Sequence, residues 1–194
     1  MHMSIKIRFS KDLGLTKEQI RSKILLKLNS QKEENRERKS RIIKEKLLRQ
    51  EEFKKARRVM FYIAFRGEVD TQEMIKEAKK LGKIVSVPIC KKNKISIRPC
   101  ILDDHASLKK GPYGVPEPVV QRLMYQQDLD LVVVPGVAFD KKGNRLGRGK
   151  GCYDRFLKKL PTHIPSIGLA FDFQILPFIP ARTHDVKVNK VLFA

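Results

Sequence analysis

Leu131-Val132-Val133-Val134-Pro135 is a purely apolar block closed by a proline. An uninterrupted run of this kind, with no polar residue alternating, suits a central strand covered on both faces. Upstream, Val59-Met60-Phe61-Tyr62-Ile63-Ala64-Phe65 is a second block rich in β formers and also reads as a buried strand. Between the two, Asp70-x-x-Glu73 reads as a capping box. Met74, Ile75, Ala78 and Leu81 then give a helix its buried face, and Gly82 closes it. Ile84 to Ile89 reads as a strand, and Lys94 to Cys100 alternates as its antiparallel partner. Gly111 to Pro118 reads as a rigid loop from its Gly/Pro punctuation. Downstream, Tyr153 to Leu160 reads as a helix burying Phe156, Leu157 and Leu160. Ile167 to Phe171 and Val186 to Phe193 read as late strands.

The βαβ-like alternation predicts an α/β fold, with a mainly parallel central sheet flanked by helices in a Rossmann-like three-layer arrangement. Residues 17 to about 56 form an N-terminal helical segment. Ile20, Ile24, Leu25 and Leu28 make one apolar stripe, and Ile42, Ile43, Leu47 and Leu48 resume it after a turn near Asn29-Ser30. The expectation is two helices, within a single domain spanning residues 1–194. Ligands of such sheets bind at the carboxyl ends of strands, where the loop beginning at Pro135 lies.

Composition excludes several classes. With 41% apolar residues in 194, the chain is expected to be globular rather than disordered. No apolar run approaches a membrane span, and Met1 to Lys6 lacks an apolar signal core, so a cytoplasmic protein is expected. Cys90, Cys100 and Cys152 are odd in number with no C-x-x-C pairing, which argues against a disulfide framework or a zinc site. The net charge of +21 is the one extreme. It is compatible with nucleic-acid binding, with a solvated basic surface, or with attraction of an anionic small substrate.

After the apolar block comes the most informative stretch: Gly143-Asn144-Arg145-Leu146-Gly147-Arg148-Gly149-Lys150-Gly151-Cys152-Tyr153-Asp154. Glycines permit close backbone approach, the cations supply charge, and the closing carboxylate can hold a divalent metal. These are the parts of a polyphosphate grip. Neither familiar phosphate loop fits. A Walker loop needs glycine where Asn144 stands and Ser or Thr where Gly151 stands. A dinucleotide fingerprint needs its third glycine where Cys152 stands.

Taken with Pro135-Gly136-Val137-Ala138-Phe139-Asp140 before it and Arg155-Phe156-Leu157 after it, this run resembles the signature of the 5-formyltetrahydrofolate cyclo-ligase (5,10-methenyltetrahydrofolate synthetase) family. Weaker elements recur in the family's order: Lys17 with Arg21, Gly67 to Thr71, Gly111 to Pro118, and His184-Asp185. The resemblance implies ATP- and magnesium-dependent closure of 5-formyltetrahydrofolate to the 5,10-methenyl form. In that reaction the formyl oxygen is phosphorylated, N10 attacks, and ADP and phosphate are released. It implies that Arg145, Arg148, Lys150 and Tyr153 serve catalysis. ATP would be held by Lys17, Arg21, Arg145, Gly147, Arg148, Gly149, Lys150, Gly151 and Tyr153. Ile63, Glu68 and Glu117, with the stretch Arg148 to Cys152, would contact the folate, and Asp154 and Asp185 would bind magnesium.

Cys152 stands where the family usually has an aromatic. Arg148 and Lys150 stand where bacterial members often have Tyr and Gly, which should make nucleotide binding tighter and more salt-dependent. The folate is the expected small-molecule partner, with polyglutamate tails favoured by the positive field. A monomer is expected, with no membrane partner. Rival readings are a basic nucleic-acid-binding protein, which lacks an RNA-module motif here, and a sugar-phosphate or acyl-transfer enzyme on a similar scaffold, which needs no ATP.

Overall fold

The computed structural model describes residues 14–91 and 94–194, so the Met1 to Lys6 segment lies outside the described residues. The chain opens with three helices, α1 (Lys17–Ser30), α2 (Glu33–Leu48) and α3 (Glu51–Lys55), where two were expected. Thr16 starts α1 through a reciprocal capping box with Gln19. At five residues α3 is too short to stand alone. Phe53, fully buried, pins it to the core.

The sheet begins at β1 (Arg58–Met60) and passes through α4 (Gln72–Lys80) to β2 (Ile84–Lys91) and its antiparallel partner β3 (Lys94–Ile101). A small hairpin follows, β4 (Leu108–Lys110) with β5 (Pro116–Pro118), so the expected rigid loop is a two-stranded turn. The chain then returns as β6 (Leu131–Val134) and makes a side sheet from β7 (Ala138–Asp140) and β8 (Arg145–Leu146). It ends with α5 (Cys152–Leu157), β9 (Ser166–Ala170), β10 (Ile175–Leu176), which joins the side sheet, and β11 (Lys190–Phe193).

The main sheet has six strands in the order β11-β9-β6-β1-β2-β3, parallel throughout except for β2 with β3. Its two faces separate by the strand period of two. Val59, Val85, Leu131, Val133 and Ile167 face a core shared with Ile24, Leu28, Ile43 and Leu47. Met60, Val132, Val134 and Ala170 face a second core with Phe156 and Leu157 of α5. All of Leu131 to Val134 is buried, as a central strand requires. Helices therefore cover both faces of a mostly parallel sheet, and the expected three-layer α/β architecture is present.

Several expectations needed correction. The first strand stops at Met60, and only Phe61 N–H continues the pairing, donating to Ser86 O at 2.9 Å. The capping box at Asp70 does not form. Asp70 turns toward α2, its N–H donating to Ser40 Oγ at 3.0 Å, so Thr71 becomes the N-cap and Glu73 pairs with Lys76. Leu81 is 58% exposed, because a Schellman turn ends α4 just before its side chain could reach the core. Gly82 N–H donates to Lys79 O and Lys83 N–H to Ala78 O. The fifth helix ends at Leu157, leaving Leu160 beyond it, and the last strand occupies only Lys190–Phe193. No described helix is long and apolar enough to cross a membrane.

Strand order locates the working end. From β1 the chain moves outward through β2, then returns across β1 to add β6 on its other side and continue outward through β9 and β11. Direction thus reverses between β1 and β6, and a crevice opens beyond their carboxyl ends.

Candidate active site

A buried carboxylate shapes the loop after β6. Asp140 is 1% exposed and accepts from Lys142 N–H (2.9 Å), Asn144 N–H (3.0 Å), Asn144 Nδ2 (2.7 Å) and Ile179 N–H (3.2 Å). At Gly143 φ is +80°, and a Cβ would stand 2.2 Å from Val188 O, so only glycine fits this close approach. The tight turn hands the chain to β8 with Arg145 pointing inward. Gln174 braces the other side, donating to Gly136 O and Val137 O at 2.8 and 3.0 Å. Asp140, Asn144 and Gln174 are positioning residues that the sequence reading passed over. Asp140 was in view as part of the signature, but its bond to Ile179 is not a local pattern.

The cations do not point freely into the crevice. The Arg145 side chain is 3% exposed, with Nη2 2.9 Å from Asp154 Oδ1 and the guanidinium 5.6 Å from the centre of the Tyr153 ring. Asp154 also accepts from Val186 N–H at 3.3 Å, which draws in the segment carrying Asp185. Lys17 Nζ bonds Asp185, and Arg182 N–H donates to the same carboxylate. Burial pushes the Asp185 carboxyl up, but these two donors outweigh it and hold it below its usual range. Arg21 Nε donates to Gly147 O at 3.0 Å, joining α1 to the glycine run. Lys150 is exposed along the cleft, with no ion pair among the described residues.

The opposite wall comes from the segment after β1 and from β2, β5 and α5. Glu68 sits with Oε1 3.1 Å from Arg148 Nε and with Oε2 accepting from Phe65 N–H at 3.1 Å. Its burial pushes the carboxyl up, and Arg148 opposes that shift. Glu117 is 5% exposed and accepts from Cys90 N–H at 2.9 Å, so it is a walled-in acceptor and not a loop acid in water. Ile63 lines the same wall. The Tyr153 hydroxyl is buried without a hydrogen-bond partner among the described residues, and burial raises its pKa well above the usual value.

Cys152 and Cys90 are half-buried on this wall. Burial pushes the Cys90 thiol up to about 12 and the Cys152 thiol upward as well. Both are protonated at neutral pH, so neither supplies a thiolate nucleophile.

These residues enclose one cleft of about 490 Å³. Every residue singled out for binding or catalysis in the sequence lines it: Lys17 and Arg21 from α1, Ile63, Glu68 and Glu117, the stretch from Arg145 to Asp154, and Asp185. Arg182 and His184, not chosen from the sequence as ligands, line it too. Among the described residues no group of three or more His, Cys, Asp or Glu forms a metal cluster. The cleft combines a cationic, glycine-lined run with carboxylate acceptors and apolar and aromatic surface.

An open, mostly parallel sheet with a cation-rich, glycine-lined crevice at its switch point is the architecture of an α/β enzyme. The chain belongs to the 5-formyltetrahydrofolate cyclo-ligase family, whose description its residues 14–194 match. It is 32% identical over 185 residues to the mouse 5-formyltetrahydrofolate cyclo-ligase, covering 90% of this chain and 91% of that one. To the Escherichia coli (strain K12) enzyme of the same name it is 30% identical over 150 residues, 71% of this chain and 78% of that one. The solved structure of Aquifex aeolicus 5,10-methenyltetrahydrofolate synthetase superposes with a TM-score of 0.81 at 35% identity, covering 92% of this chain and 90% of that one. A Mycoplasma pneumoniae synthetase at 23% identity, with a TM-score of 0.73, shares the fold.

Proposed function

We propose that the protein converts 5-formyltetrahydrofolate to 5,10-methenyltetrahydrofolate, consuming ATP and releasing ADP and phosphate. The observation that carries this reading is the single cleft that brings Lys17, Arg21 and the glycine-cation run together with Glu68 and Glu117. An N-formyl group is a poor electrophile because amide resonance feeds its carbonyl, and its oxygen will not leave. Attack of that oxygen on the γ-phosphorus of ATP breaks the bond to ADP and turns it into a leaving group. N10 then adds to the formyl carbon, the C–O bond breaks to release phosphate, and the N10 proton is lost to that phosphate or to water. Such chemistry asks the protein for positioning and charge neutralisation more than for a nucleophile, in keeping with the protonated thiols of Cys90 and Cys152.

In this reading Arg21, Lys150 and the backbone from Gly147 to Gly151 take phosphate oxygens. Arg145 and Arg148 add charge once ligands reorganise their ion pairs. Glu68 and Glu117 accept from pterin N–H groups, and Ile63, Cys152 and Tyr153 pack against the ring and formyl region. Asp154 and Asp185 would hold magnesium. Two carboxylates are too few to hold the ion alone but suit a magnesium that takes its remaining ligands from phosphates and water. When bound, it would neutralise charge on the phosphate oxygens.

The test mixes the full chain with 5-formyltetrahydrofolate, Mg²⁺ and ATP and follows the near-ultraviolet absorbance of the methenyl product. Product should form only with ATP, with one ADP per turnover. Folded protein that forms none, or that forms product equally well without ATP, would overturn the reading.

A further inference from the structure

Arg148 is not aimed at the cationic end of the cleft. Its Nε lies 3.1 Å from Glu68 Oε1 and its Nη2 3.0 Å from Phe65 O, and the guanidinium lies 5.7 Å from the centre of the Phe65 ring. One side chain from the glycine run thus reaches across the crevice and ties its two lips together. The pair remains accessible, with the Arg148 side chain 32% exposed and that of Glu68 12%.

The acceptor it occupies is the one that the function proposed above gives to the folate. A tetrahydropterin ring presents an N–H and an exocyclic NH₂ side by side, the same planar donor pair as one edge of a guanidinium. Such paired donors bind a carboxylate in a fork. Arg148 and the pterin are therefore chemical equivalents competing for Glu68. We propose that Arg148 is a latch on Glu68 that the folate displaces, and that its release couples folate binding to nucleotide binding.

The geometry supplies the second half of that coupling. Arg148 is flanked by Gly147, whose carbonyl accepts from Arg21, and by Gly149, whose φ of +102° is open to glycine but strained for other residues. A Cβ at position 149 would lie 3.7 Å from the Arg21 guanidinium. Once off Glu68, the Arg148 guanidinium therefore has Arg21 and Lys150 as neighbours, and the polyphosphate end gains a cation. By linkage, a nucleotide that draws Arg148 across must in turn free Glu68 and tighten folate binding by the same factor.

This inference rests on the reading of the site as a folate and nucleotide cleft, and one titration separates the two. A β,γ-imido analogue of ATP with Mg²⁺ is titrated calorimetrically into the full chain, alone and with saturating 5-formyltetrahydrofolate. The wild-type protein should bind the analogue about tenfold more tightly when folate is present. In Arg148→Gln, folate alone should bind more tightly than in the wild type, and the coupling should shrink to less than about twofold. Glu68→Gln provides an independent arm. It should weaken folate binding yet tighten binding of the analogue without folate, because the latch has lost its anchor. Thermal melts confirm that each variant is folded. Wild-type protein that binds both ligands independently, or Arg148→Gln that keeps the tenfold effect, overturns the latch and leaves the function standing. Wild-type protein that binds neither ligand overturns both.

Discussion

The Tyr153 hydroxyl is a buried polar group without a partner among the described residues, at a cost of roughly 1–3 kcal/mol for an unsatisfied donor. Tyr153 also lines the cleft, so a bound substrate is a candidate to supply the missing bond. Tyr153→Phe should therefore melt at the same or a slightly higher temperature, while the KM for 5-formyltetrahydrofolate rises several-fold. A lower melting temperature with unchanged KM would assign the hydroxyl to the fold instead. Asp154 is a different case, because Arg145 is paired with it and buried. Asp154→Ala strands that guanidinium and should cost about 3–5 kcal/mol in urea unfolding, besides abolishing turnover. Asp154→Asn keeps an acceptor for Arg145 and should lose turnover with a much smaller loss of stability, which separates the two roles. The residue types of the site were legible in the sequence because glycine, cation and carboxylate recur there at tight spacing. Their pairing was not. Arg145 with Asp154, Lys17 with Asp185 and Arg148 with Glu68 are contacts set by tertiary closure, and no local pattern encodes them.

Among the elements, the contact that aligns β1 with β6 fixes the switch point. Asp130, just ahead of β6, accepts from Arg57 N–H at 2.9 Å and Arg58 N–H at 2.7 Å, tying the starts of the two strands. Burial pushes its carboxyl up, but the Arg58 and Arg57 donors outweigh that and hold it below its ordinary value of 3.8. The unfolded chain then binds a proton at Asp130 more readily than the folded one. Its stabilisation is fully present above the unfolded value and is lost as pH falls through the lower folded value. Asp130→Ala should cost about 1.5–3 kcal/mol at pH 7, the range for hydrogen bonds to a charged group. Urea melts at pH 7 and near pH 3 should show the gap between variant and wild type closing in acid. A pH-independent gap would mean that Asp130 acts by packing. The strands themselves were legible wherever burial on both faces leaves a continuous apolar run, as in Leu131 to Val134. The block from Val59 to Phe65 was overread for the same reason. Phe61 and Tyr62 are buried too, but beyond the strand: Phe61 packs in the core and Tyr62 lines the crevice, where its hydroxyl bonds Val69 O and its carbonyl takes the Thr71 hydroxyl. Apolar character reports burial and not the pairing partner, so the strand end was invisible. The side sheet β7-β8-β10 escaped notice because its members are two or three residues long, shorter than any period can reveal.

Across the whole molecule, 42 cations face 21 acids, so even complete pairing would leave a net charge of +21. The outer face of α2 does not concentrate that charge. Arg38, Arg41 and Lys46 share its exposed residues with Glu33, Glu34, Glu37 and Glu45, which suits a solvated helix better than a nucleic-acid track. The excess acts instead as a diffuse field around a cleft whose proposed ligands are anionic. A field of this kind raises the encounter rate and the local concentration of an anion, and its reach is set by salt. The Debye length falls from about 30 Å at 0.01 M to about 8 Å at 0.15 M. For the proposed reaction, kcat/KM for ATP should therefore drop about tenfold between 20 and 300 mM KCl at fixed free Mg²⁺, while kcat changes less than about twofold. The less highly charged 5-formyltetrahydrofolate should show a shallower slope in the same series. Steady-state rates at five or six salt concentrations, with one substrate saturating while the other varies, give all three slopes. If kcat fell in parallel with kcat/KM, salt would be acting on contacts inside the bound complex. If kcat/KM stayed flat, the positive charge would play no part in substrate capture.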